Sequence, residues 1–116
     1  MALTFLQAVA RMEGFGVSGA LPTRLDNEGD LRYANWETKY GATLDEKGFA
    51  RFPSPEQGEA ALRELLNRAY VGMSFLDALN KYAPPSDGNN VSAYVAGVEK
   101  LTGLPRTTIL TPEIIG

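Results

Sequence analysis

The sequence predicts a mainly α-helical protein of about five short helices with one small, irregular β-hairpin. Three observations carry this. Apolar residues recur at helical spacing in several stretches, most of them opened by a Ser or Thr cap and closed by Gly or Pro. Between the first and second of these lies a stretch rich in aromatic and β-forming residues around a polar turn. The 116 residues are 44% apolar and 22% charged, the composition of a folded domain rather than of a disordered chain.

Thr4-Phe5-Leu6-Gln7 fits a capping box, with Thr4 at the helix start and Gln7 reaching back to it. Phe5, Leu6, Val9, Ala10 and Met12 then form a broad apolar stripe; Glu13 falls on the side of Ala10, and Gly14 ends the helix. From Gly14 to Asp30 the glycines and Pro22 argue against regular structure. Leu31 to Phe52 reads as the hairpin, turning at Asp45-Glu46-Lys47-Gly48, with Phe49 and Phe52 pinning it to the core.

Ser54, Pro55 and Gln57 open a second helix as N-cap, first helical residue and capping-box partner. Its stripe is Ala61, Leu62, Leu65, Leu66 and Ala69, ending near Gly72. Ser74, with Asp77, opens a third helix that runs to Tyr82 and is stopped by Pro84-Pro85. A fourth carries Val91, Tyr94, Val95 and Val98 and closes at Gly103. Residues 103–116 read as a loose tail with one short turn, and with no repeat or linker the chain 1–116 is expected to be one domain.

The chain has no cysteine, so disulfides and thiolate chemistry are excluded. It has no histidine either, which removes the commonest general base and metal ligand. Acid–base chemistry here must run on carboxylates, Lys or Tyr. No metal and no cofactor are therefore expected. The net charge of −3 argues against nucleic acid as a partner, since phosphate binding needs a basic face. No stretch has the length of a membrane span, and the N-terminus lacks the basic start and apolar run of a signal peptide.

Glu13 is the first residue to weigh. A carboxylate closing an apolar helix, followed by glycines, is expected to be half-buried at the lip of a loop. Desolvation and the negative end of the helix dipole both favour its protonated form. That is what a general acid acting on a glycosidic oxygen requires. A solvated Glu at a helix end is the plain alternative.

Three ordered runs add to this reading. They are Met12-Glu13-Gly14-Phe15-Gly16-Val17-Ser18-Gly19-Ala20, Asn27-Glu28-Gly29-Asp30-Leu31, and the segment from Gly48-Phe49-Ala50-Arg51-Phe52 to Gly58. Tyr82-Ala83-Pro84-Pro85 follows, with Asn89, Asn90 and Tyr94. Together they resemble a family of small lysozyme-like domains from bacteria and from phage virion or lysis proteins. The order is also similar to that of flagellar glucosaminidases and soluble lytic transglycosylases, whose acid is a Glu closing an early helix. The resemblance spans residues 5–103 and implies a lysozyme-like fold with Glu13 as catalytic acid. Where that family has Asn-Asn-Pro-Gly-Asn, this chain reads Asp26-Asn27-Glu28-Gly29-Asp30. The change either reshapes the turn lining the cleft or marks a member without turnover.

Glu28 and Asp30 are the favoured second carboxylates, since an inverting enzyme needs a base about 6.5–9.5 Å from its acid to hold a water. Turn stabilisation is their alternative role. A lytic transglycosylase needs no second carboxylate, because the sugar's own 6-hydroxyl attacks. Ser18 is placed to orient Glu13, as a Ser shortly after the acid does in the resembling enzymes. Tyr33, Trp36 and Tyr82 are candidates to stack on or line the path of sugar rings, and Tyr40 shares their chemistry. Tyr94 reads as core. The expected substrate is peptidoglycan or a related glycan, cleaved by a monomer. The rival expectation is a glycan-binding or virion structural module that keeps the fold and has lost turnover. Localisation stays open among cell envelope, virion and export by another route.

Overall fold

The computed structural model describes residues 2–116. In order it contains α1 (Phe5–Met12), α2 (Leu21–Arg24), β1 (Thr43–Leu44), β2 (Ala50–Arg51), α3 (Pro55–Ala69), α4 (Phe75–Tyr82), α5 (Val91–Thr102) and α6 (Pro112–Ile115). Short 3-10 segments occupy Asn35–Tyr40 and Pro85–Asp87. The architecture is thus mainly helical with one small antiparallel hairpin, Thr43 pairing with Arg51 and Leu44 with Ala50. The backbone divides into two units: Val9–Glu64, and Leu65–Gly116 together with the N-terminal residues up to Ala8.

The caps read from the sequence are formed. Thr4 N–H donates to Gln7 Oε1 at 3.0 Å while Gln7 N–H donates to Thr4 Oγ1 at 3.2 Å. Ser54 Oγ receives the Gln57 N–H at 3.3 Å, and Ser74 Oγ receives that of Asp77 at 3.1 Å. Each satisfies a donor that the first helical turn would otherwise leave unpaired. α5 is capped by Asn90, whose Oδ1 takes the Ala93 N–H at 3.1 Å, and it closes on Gly103 in the left-handed region.

In the Val9–Glu64 unit, Leu25, Leu31, Ala42, Ala50, Phe52, Ala61 and Leu62 are buried. The hairpin is shorter than the sequence suggests. Its strands hold two residues each, extended by an isolated bridge between Arg32 and Phe49. Asn35–Tyr40, expected within the hairpin, winds instead into a 3-10 turn. Glu37 causes this: its buried carboxylate accepts the Ala34 N–H at 2.6 Å, and Gly41 at φ 81° ends the turn. Phe52 is buried as expected, but Phe49 is only half-buried, with the Arg32 guanidinium 4.9 Å above its ring. The glycine-rich stretch also holds one ordered turn, α2, where Pro22 sits near the start with its φ already suited to a helix.

In the other unit, Phe75 packs against Phe5 with ring centroids 4.9 Å apart. Ala78, Leu79, Val95, Val98, Leu110 and Ile115 are buried there. Residues 103–116, read from the sequence as loose, are tied in by backbone bonds. Gly72 N–H donates to the Leu110 carbonyl at 2.9 Å, Leu110 N–H to Met73 at 2.8 Å and Phe75 N–H to Thr108 at 2.9 Å. The unpatterned tail gives a second strand-like contact, Ser74 against Ile109.

Candidate functional site

Glu13 extends α1 by one residue, its N–H donating to the Val9 carbonyl at 3.0 Å, and its side chain is half-buried. The chain then leaves the helix through Gly14 and Gly16, both at positive φ (95° and 94°). Thr23, on α2, holds this exit in shape. Its hydroxyl receives the Gly16 N–H at 2.9 Å and donates to the Gly14 carbonyl at 3.4 Å. Arg24 adds a bond from Nε to the Gly19 carbonyl at 3.1 Å. Ser18, the residue expected to orient Glu13, is exposed to solvent. The sequence reading missed Thr23; the only signal for it was a hydroxyl beside Pro22 in a glycine-rich loop.

The other acidic candidates lie in the turn from Asp26 to Asp30, in the same unit as Glu13. Both aspartates adopt φ 53°, a left-handed conformation that short polar side chains tolerate best. Asn27 lies between them, fully buried. Its Nδ2 donates to the carbonyls of Leu31 and Ala50, each at 2.9 Å, and its Oδ1 accepts the Leu31 N–H at 2.8 Å. Phe52 N–H donates to the Leu25 carbonyl at 2.9 Å and fixes the near side of the turn. The far side rests on α3 at Gly58, where an added Cβ would lie 1.9 Å from the Asp26 carbonyl oxygen.

A turn clamped this way holds one carboxyl oxygen each of Glu28 and Asp30 out of water. Glu28 and Asp30 are half-buried, and Glu28 Oε2 and Asp30 Oδ1 are each enclosed without a hydrogen-bond partner. Desolvation is the main reason that the Glu28 carboxyl is pushed up to about 7. The Glu59 charge adds to the rise, Arg63 opposes it, and Glu56 adds a smaller share. Asp30 is also raised by burial, against the pull of Arg32. Near neutrality Glu28 therefore exchanges a proton readily, as a group in acid–base catalysis must.

The aromatic candidates fall in two places. Tyr33 and Trp36 are half-buried in the same unit as Glu13, Glu28 and Asp30. Trp36 meets Tyr40 edge-on, with centroids 6.3 Å apart and planes at 88°. Tyr40 itself is committed to structure, its hydroxyl donating to Glu64 Oε1 at 2.6 Å beside the Lys39–Glu64 ion pair. Tyr82 belongs to the other unit, where its ring lies 5.9 Å from that of Tyr70. Tyr94 is buried, as read. Glu37 is a buried carboxylate that the sequence reading passed over, raised by desolvation and spent on the Ala34 N–H.

Among the described residues no group of three or more His, Cys, Asp or Glu side chains is arranged to hold a metal ion. No described helix is long and apolar enough to cross a membrane. Comparison with protein-family models, curated proteins and solved structures found no match to this chain.

Proposed function

We propose that this chain cleaves the glycan strands of bacterial cell wall at the β-1,4 link between N-acetylmuramic acid and N-acetylglucosamine. Glu13 acts as general acid, and Glu28, with Asp30 beside it in sequence, supplies the second carboxyl. The observation that supports this most is that one unit holds both a half-buried Glu closing α1 and a second half-buried carboxyl, Glu28, raised to about 7. Hydrolytic cleavage by inversion needs two carboxyl groups with separate roles; Glu28 at about 7 serves as the base in its charged fraction, which grows above neutrality.

Glu13 gives its proton to the glycosidic oxygen as the bond from that oxygen to the anomeric carbon breaks. Glu28 takes a proton from the water that attacks the anomeric carbon; if the product is an anhydro sugar, Glu13, having given up its proton, accepts that of the attacking 6-hydroxyl. Tyr33 and Trp36 offer flat apolar faces to the C–H side of the rings.

A second reading has its own support. Ser18 is turned to solvent, and the turn at 26–30 is clamped by Asn27 as a structural element would be. A glycan-binding or virion structural module without turnover would keep both features. Glu13→Gln separates the two readings, because the amide keeps the shape and cannot donate the acid's proton. Release of reducing or anhydro ends from purified peptidoglycan should fall by about 10²–10⁴-fold, with glycan affinity little changed. Wild-type protein that binds glycan and releases no ends would establish the binding module instead.

A further inference from the structure

We propose that Glu59 and Arg63 of α3 are positioning residues for Glu28, holding an opposed pair of charges against its carboxyl. The inference rests on Glu28 having the acid–base role given above. It starts from the enclosure of Glu28 Oε2, which has no hydrogen-bond partner. A carboxyl oxygen without local donors takes its protonation from burial and from nearby full charges.

Those charges all come from α3. Glu56, Glu59 and Arg63 are spaced three and four residues apart, so they share one face of the helix. The turn lies beside this helix, because Gly58 lets the α3 backbone come against the Asp26 carbonyl. Arg63 is steadied by Glu59, its Nη2 lying 3.0 Å from Glu59 Oε2. The pair acts on Glu28 in opposite directions, Glu59 favouring its proton and Arg63 its charge, while Glu56 sides weakly with Glu59. On its own turn the neighbouring acids are Asp26 and Asp30, and the charge acting on Asp30 is Arg32. Glu59 and Arg63 touch no reacting atom; their effect passes through Glu28.

The test is carboxyl carbon NMR of the full chain across pH, with the Glu28 signal assigned by its disappearance in Glu28→Gln. Arg63→Gln should move the Glu28 midpoint up and Glu59→Gln should move it down, each by several tenths of a unit to about one unit. Arg63→Lys keeps the charge and should restore most of the wild-type midpoint. Packing alone would not give opposite signs with rescue by charge. Midpoints that move in the same direction in both glutamine variants, or stay within the error of wild type, overturn the proposal. The pH profile of glycan cleavage should shift on its Glu28 limb by the same amounts. Shifted midpoints in a protein without cleavage would sink the enzymatic reading and leave the charge arrangement standing.

Discussion

Asn27 and Glu28 are adjacent, yet burial treats them in opposite ways. The amide of Asn27 is satisfied on both donors and on its oxygen, so full enclosure costs it little. Glu28 meets the same enclosure at Oε2 with no partner, and holds a proton to about pH 7 against an ordinary value of 4.5. Because the folded chain binds that proton more tightly than the unfolded chain, the Glu28 share of stability is complete below about pH 4.5. It is lost as pH rises through 7. Glu28→Gln removes the dependence. The variant should match wild type at low pH, gain on it from 4.5 to 7, and stay ahead above that. Halved for a partly solvated carboxyl, the gain is about 1–2 kcal/mol. Urea midpoints of the two proteins at pH 4.5 and pH 8 measure it, and an equal difference at both would show that the carboxyl titrates normally. The sequence carried the candidates Glu28 and Asp30 because paired acids in a turn are visible in one dimension. It could not carry their protonation, which depends on burial at both and, for Glu28, on the charges of α3. Thr23 was hidden for a related reason: its bonds to Gly16 and Gly14 span seven and nine residues, a distance at which sequence gives no signal.

At the scale of elements, the local signals were legible. Thr4, Ser54 and Ser74 cap their helices with side chains that reach only three residues, so the bonds depend on little beyond the sequence itself. The Asn35–Tyr40 turn was read as hairpin because Tyr33, Trp36 and Tyr40 are good strand formers. The competing signal, a Glu three residues after Ala34 and a Gly after Tyr40, was present but weak until Glu37 was seen to be buried. Gly58 is the element-scale residue that sequence reasoning left unused. Its φ lies outside the left-handed region, so backbone freedom does not explain it, and helix propensity alone favours Ala by about 1 kcal/mol. Space explains it. A Cβ would meet the Asp26 carbonyl oxygen at 1.9 Å and the Phe52 ring at 3.4 Å, and backbone cannot swing aside as a flexible side chain can. Gly58→Ala should therefore cost about 1–3 kcal/mol in spite of its better propensity. Chemical denaturation gives the value directly. A neutral or stabilising outcome would mean that the turn at 26–30 stands off from α3, and the charge arrangement around Glu28 would go with it.

At the scale of the molecule, the helical class and the small hairpin were legible from spacing and caps, while the role of the last residues was not. Leu104 to Gly116 shows no helical or alternating pattern, so its apolar residues gave no hint of a partner. Their partner is distant in sequence. Leu110 and Ile115 are fully buried, and the backbone from Arg106 to Leu110 pairs with the segment from Gly72 to Leu76. The start of α4 thus depends on residues that follow α5. A chain ending at Gly103 would lose the burial of one Leu and one Ile, about 1.5–3 kcal/mol each. It would also lose backbone bonds worth about 0.5–1.5 kcal/mol apiece, against a total of about 5–15 kcal/mol for a typical domain. The shortened chain should therefore unfold without a cooperative transition in the Leu65–Gly103 region, seen as lost amide protection along α4. Leu110→Ala in the full chain is the milder form of the same change. It should keep the fold and lower stability by about 2–5 kcal/mol. Unchanged melting of both proteins would leave the bonds to Gly72 and Met73 without energetic weight, and α4 would then have to hold its place through Phe5 and Phe75 alone.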